Sequence, residues 1–158
     1  MLSVLFVCLG NICRSPCAEG VLMDLVKNAS LEQDVHVESC GLGDWHEGQL
    51  PDERMRHVCK KRGLVLQSRA QAFKPEFFDT FDYILAADHQ IEYQLHRWAK
   101  HPNHKVKIHL FTKFSSINAN QEIPDPYYEE MEQFDRVLDM IKDSCQGVLE
   151  ELRGRLLQ

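Results

Sequence analysis

Ser3–Leu9 is a short apolar run rich in Val and Leu that stops at Gly10, and a helical pattern begins within six residues. A buried strand followed this closely by a helix constrains the fold more than any other feature of the chain. Ser15-Pro16 predicts the helix start, with Ser15 as N-cap and Pro16 at the first helical position. Ala18, Val21, Leu22, Leu25 and Val26 then recur at helical spacing and define one apolar face. Val35–Cys40 reads as a second strand, and Gly41–Pro51, with three Gly and a Pro, as a loop. Asp52–Lys61 reads as a helix with Met55, Val58 and Cys59 inward, stopped by Gly63. Tyr83–Ala87 and Val106–Phe111 are strand candidates, and Ile91–Ala99 is a helix between them. A long last helix over about Met131–Leu157 carries Phe134, Val137, Leu138, Ile141, Cys145, Val148, Leu149 and Leu152 on one face. Strands alternating with helices predict βαβ units: an α/β fold whose parallel sheet is covered on both faces. Ligands in such folds sit at the carboxyl ends of the strands, which brings the segment after Leu9 and the Pro-bracketed loop Ile123–Tyr128 to one rim.

At 158 residues the chain suits a single domain over 1–158, with no repeat or linker. The run Val4–Leu9 is too short to span a bilayer, and Met1–Leu9 lacks the basic start of a signal peptide, so the expected address is cytoplasmic, with no membrane role. The six Cys then read as reduced thiols. A net charge of −6 disfavours nucleic acid. It also means that any anionic substrate must be bound by a local field.

Cys8-Leu9-Gly10-Asn11-Ile12-Cys13-Arg14-Ser15 supplies such a field. Bare Cys-x5-Arg arises by chance in about one chain in three of this composition, but here the Cys ends a strand and the Arg opens a helix. Gly10 and Asn11 tolerate left-handed backbone, so the loop is expected to turn its N–H groups inward as an anion nest. The helix N-terminus adds positive potential. A Cys in that setting is expected to be a thiolate nucleophile, with the Ser15 hydroxyl donating to its sulfur. Arg14 offers a planar fork to two phosphate oxygens. Attack of the thiolate on a phosphate ester needs a proton for the leaving group, and Asp125, held between Pro124 and Pro126, is the candidate acid and later base. The nest and Arg14 neutralise the transferring group, so neither metal nor cofactor is expected.

Val7–Pro16 resembles the signature loop of the low-molecular-weight protein tyrosine phosphatases, and Asp125-Pro126-Tyr127-Tyr128 resembles that family's acid loop. Ser39, Asp44-Trp45 and Tyr83-Ile84-Leu85 followed by Asp88 fall where the family has similar residues. The resemblance implies a four-stranded parallel sheet and hydrolysis of phosphotyrosine in proteins or peptides through a phosphocysteine. It implies Cys8 as nucleophile, Arg14 as phosphate binder and Asp125 as acid, with inorganic phosphate as product and inhibitor. It assigns Leu9, Gly10, Asn11, Ile12, Cys13, Ser15 and Ser39 to phosphate binding and loop support, and Trp45, Tyr127 and Tyr128 to the walls around the substrate ring. It also implies a reversible disulfide between Cys13 and Cys8.

Three positions depart from the pattern: Ser68 where a His is common, Cys40 after Ser39, and Glu129 after the tyrosine pair. An arsenate reductase on the same fold would need further Cys after the third strand, and none lies between Cys59 and Cys145. An arginine phosphatase would carry Thr at the position of Ile12. A non-catalytic phosphotyrosine-binding module would need Arg14 but neither Cys8 nor Asp125. A metal site on Cys8, Cys13 and Cys17 lacks paired C-x2-C spacing, and His101 and His104 read as a solvated loop.

Overall fold

The computed structural model describes residues 1–158. The apolar runs form strands β1 (Leu2–Cys8), β2 (Val35–Gly41), β3 (Tyr83–Ala86) and β4 (Ile108–Leu110), and all pair in parallel in the order β2-β1-β3-β4. In β1, Val4–Cys8 are all buried, as are all four residues of β3, which is what central strands covered on two faces require. The helices are α1 (Arg14–Asn28), α2 (Glu53–Lys61), α3 (Phe77–Thr80), α4 (His89–Trp98), α5 (Pro102–Lys105) and α6 (Met131–Leu156). From β1 the chain steps to β2 on one side, and from β3 to β4 on the other. Right-handed crossovers in opposite directions put α1 and α4 on opposite faces. The apolar face of α6 packs on α1, and all eight residues anticipated on it are buried. No helix is long and apolar enough to cross a membrane.

Two boundaries differ from expectation. Helix α1 starts at Arg14, with Cys13 rather than Ser15 as N-cap, so Pro16 is the third helical residue. Nothing is lost, because the first helical N–H groups have no intrahelical partner and a Pro among them removes none. Strand β4 is only Ile108–Leu110: Val106 closes α5 and is 70% exposed, and Phe111–Phe114 turn into a 3₁₀ helix. Of the two histidines expected in a solvated loop, His101 is exposed and only His104 departs from the expectation. His101 precedes α5, and His104 within it is buried, stacked on Phe78 and 2.7 Å from an Asp79 carboxylate oxygen.

The strand order reverses between β1 and β3, so the carboxyl ends of these two strands diverge there. Cys8 ends β1, and Asp88 follows β3 as the N-cap of α4. The functional loop therefore opens at the switch point.

Candidate active site

Residues 9–13 connect β1 to α1. Asn11 is the one left-handed residue of the loop (φ 59°), while Gly10 is not in that region. Gly10 answers a different need: a Cβ there would come within 2.9 Å of the His46 ring. Asn11 is 2% exposed, and its side chain pins the strained backbone. Its amide donates to Ser15 Oγ (2.7 Å) and Ser39 Oγ (2.9 Å), and its carbonyl accepts from the Gln71 N–H (3.0 Å). Ser39 in turn donates to Glu19. Burial, more than any charge, pushes the Glu19 carboxyl up to about 7; the Ser39 bond opposes this.

Cys8 Sγ lies 2.9 Å from Ser15 Oγ, and Ser15 Oγ is 3.3 Å from the Cys40 carbonyl. The Ser15 hydroxyl already accepts from Asn11, so its single proton points to one of those two. Cys40 is itself fully buried, and burial drives its thiol well above the ordinary range. Burial, then Asp52 and Cys8, likewise raise Cys13, so these two thiols are held protonated.

Arg14 is 3% exposed. Its Nη1 donates to Asp88 Oδ2 (2.7 Å) and the Ile123 carbonyl (2.9 Å), and Nη2 lies 3.7 Å from Asp125 Oδ2. Burial opposes the guanidinium charge, but the Cys8 sulfur and Asp88 outweigh it and raise its pKa. Asp125 accepts the Tyr127 N–H on Oδ1 (3.1 Å), a turn that fixes the carboxyl relative to the following ring. Tyr128 meets Tyr127 edge-on, with centroids 4.9 Å apart.

These groups converge on one crevice of about 430 Å³, lined by Cys8, Leu9, Gly10, Ile12, Cys13, Arg14, Trp45, His46, Asp125, Tyr127 and Tyr128. Every wall residue anticipated from sequence is there, with Trp45 and Tyr128 forming an exposed rim. Asn11, Ser15 and Ser39 lie behind the loop as supports.

Residues 3–156 match the low molecular weight phosphotyrosine protein phosphatases. The chain belongs to this family. A low molecular weight phosphotyrosine protein phosphatase from Drosophila melanogaster is 38% identical over 152 residues, which is 96% of this chain and 92% of that protein. A crystal structure of a protein tyrosine phosphatase from Entamoeba histolytica superposes with TM-score 0.93 at 38% identity, covering 98% of each chain. An arginine phosphatase from Drosophila shares the fold at TM-score 0.86 and 34% identity, covering 94% of this chain and 96% of that one.

Seen as a phosphatase crevice, the site contains residues to which the sequence alone assigns no role. Asp88 anchors Arg14, and its N-cap position ahead of Ile91–Ala99 was the available signal. His46 lines the crevice beside Trp45. At Gly41 a Cβ would lie 2.8 Å from the Leu9 carbonyl oxygen and 3.1 Å from the Asn11 nitrogen, so only Gly lets the loop backbone close over the end of β2. Ser68 takes no hydrogen bond to Glu19, although both line one surface cavity. Glu129 is exposed at the turn after the tyrosine pair.

Proposed function

We propose that the protein hydrolyses phosphotyrosine in proteins or peptides, and small aryl phosphates, through a phosphocysteine on Cys8. The observation that carries this reading is the meeting of Cys8, Arg14 and Asp125 in one crevice at the N-terminus of α1, across 117 positions of sequence. In the first step the Cys8 thiolate, which accepts a hydrogen bond from the Ser15 hydroxyl before attack, attacks phosphorus, and the phosphorus–oxygen bond to the leaving group breaks. Arg14 and the N–H groups at the start of α1 balance the charge on the equatorial oxygens. Asp125 gives its proton to the departing phenolate. In the second step Asp125 takes a proton from water, the resulting nucleophile attacks phosphorus, and the thiolate leaves with inorganic phosphate as product. Inorganic phosphate in the same cradle competes with substrate.

Ile12, Tyr127 and Tyr128 give the crevice an apolar, aromatic lining that suits a flat phenyl ring. Ile12 also disfavours the guanidinium of phosphoarginine, which has no polar partner at that position. A reducing cytoplasm suits a nucleophilic thiol. Under peroxide, Cys8 is oxidised to a sulfenic acid and Cys13 condenses with it to a disulfide, releasing water, which a reducing thiol reverses.

The test is hydrolysis of para-nitrophenyl phosphate and a phosphotyrosine peptide, beside phosphoarginine and arsenate, in the presence of a chelator. Turnover of the aryl esters that vanishes in Cys8→Ser is the expected result. Undiminished turnover in Cys8→Ser removes the covalent mechanism.

A further inference from the structure

The crevice has two halves that come from distant parts of the chain. The phosphate loop is built on β1 and α1. Asp125 and the tyrosines hang from the segment before α6, and Asp125 is 42% exposed, held by one hydrogen bond to its own loop. Something must fix that loop relative to the cradle, because an acid misplaced by an ångström loses most of its effect.

Arg54, in the first turn of α2, stands between the halves. Its guanidinium grips Asp52 with two hydrogen bonds, Nε to Oδ1 (3.0 Å) and Nη2 to Oδ2 (2.9 Å). The Asp52 N–H donates to the carbonyl of Ile12, inside the phosphate loop, at 2.7 Å. The flat guanidinium also lies near two rings: Tyr127 of the acid loop, 5.4 Å to the centroid, and Phe134 of α6, 4.6 Å. Phe134 is fully buried. A continuous path therefore runs from the phosphate loop through Asp52 and Arg54 to the Tyr127 ring, and from the Tyr127 N–H to the Asp125 carboxylate. A guanidinium, with its planar fork and polarisable face, can bind a carboxylate edge-on and aromatic rings face-on at once.

We propose that Arg54 is a positioning residue for the acid step: by holding Tyr127 it sets the aim of Asp125 at the leaving group. Arg54 lines no part of the crevice and meets neither substrate nor the reacting atoms. Its loss therefore bears on Asp125 through Tyr127, while the backbone bond from the Asp52 N–H to the Ile12 carbonyl still supports the phosphate loop.

This rests on the phosphatase reading, and the two are separable. Turnover by the wild type, and its loss in Cys8→Ser, report on that reading. The role of Arg54 is read from how kcat/KM depends on the leaving group, since kcat/KM covers steps up to phosphorus–oxygen cleavage. Arg54→Met keeps the unbranched apolar stem while removing the charge and the fork. We expect kcat/KM for phenyl phosphate, whose leaving group needs the proton, to fall about tenfold or more, and that for para-nitrophenyl phosphate less than about threefold. The alkaline limb of the kcat/KM profile for phenyl phosphate, where the acid loses its proton, flattens in parallel. Arg54→Lys, which retains the charge over the rings, recovers part of the loss. In an Asp125→Ala background Arg54→Met adds little, because the acid it would aim is gone. A variant that merely folds less well loses active sites and lowers both substrates by one factor. Equal loss for both esters, or a full additional loss in the Asp125→Ala background, overturns the proposal.

Discussion

Glu19 sits at the far end of a hydrogen-bond path that reaches Cys8 through Ser39, Asn11 and Ser15, and its raised pKa makes a quantitative prediction. Its carboxyl has an ordinary value of 4.5 and stands at about 7 in the fold, because burial disfavours the charge more than the Ser39 hydrogen bond favours it. Between these values the folded chain binds more proton than the unfolded chain, so stability falls as pH rises. The contribution is fully present below about pH 4.5 and is lost as pH passes through about 7. The interval is about 2.5 pH units, and at ~1.36 kcal/mol per unit the swing is at most about 3.4 kcal/mol. Glu19 borders a cavity open to water, which trims this to about 2 kcal/mol. Glu19→Gln keeps an acceptor for Ser39 and cannot ionise. Relative to wild type it should gain about 2 kcal/mol between pH 5 and pH 8, with the gain levelling off above pH 8. Urea unfolding of both proteins at unit pH intervals measures this directly. A stability difference that is flat across the range refutes the argument, and one that moves the other way means that Glu19 is stabilised as a carboxylate by a partner the geometry does not contain.

Three further outcomes follow from close contacts and from the acid loop. A Cβ on Gly147 would lie 2.1 Å from the Phe114 carbonyl oxygen, whereas one on Gly20 meets only the tip of Leu66, at 2.5 Å. Both lie in helices, where Ala is worth about 1 kcal/mol over Gly. Gly147→Ala should nonetheless lose about 2 kcal/mol, because backbone cannot yield, while Gly20→Ala stays within about 1 kcal/mol of wild type; thermal melts separate them. Gly41→Ala pushes on the Leu9 and Asn11 backbone. It should cost about tenfold in kcat/KM for para-nitrophenyl phosphate with far-ultraviolet circular dichroism unchanged. Asp125→Ala should slow phenyl phosphate about tenfold more than para-nitrophenyl phosphate in kcat/KM; equal slowing removes Asp125 from the acid role.

What could be read from sequence was local. The strand ending at Cys8, the loop to Arg14 and the apolar face of α6 all declare themselves within one window of residues. What could not be read depends on partners far along the chain. Asp88 is 74 positions from Arg14, and Tyr127 is 73 from Arg54. Gly41 reads as an ordinary strand-ending glycine until the Leu9 carbonyl is placed against it. Ser15-Pro16 carries the pattern of a helix cap, but Ser15 has its side chain turned to Cys8 and Asn11 and α1 starts at Arg14. A capping residue was diverted to the site, and the helix begins with a Cys that caps nothing. His104 shows the reverse case, a polar residue taken as solvated that stacks on Phe78 in the packed interior.

The acidic balance of the chain, net −6, still has to coexist with a site for a dianion. The geometry around Arg14 shows how. Asp88 neutralises the buried guanidinium when the site is empty, which an isolated charge at 3% exposure would need. It does so through Nη1 alone, with the Ile123 carbonyl taking the other position on that nitrogen. Nε and Nη2 remain without hydrogen bonds, and Nη2 is the edge that lies toward Asp125 and the crevice. The same carboxylate that anchors Arg14 caps α4 through its other oxygen, at 2.9 Å from the Ile91 N–H, so the anchor is itself locked to a helix. One charge pair thus satisfies the buried cation, fixes the plane of its fork and leaves Nε and Nη2 unbonded, the two donors that the proposed phosphate clamp uses. The remaining field comes from backbone dipoles, whose strength does not depend on net charge. The surface can therefore stay acidic while the crevice remains selective for an anion.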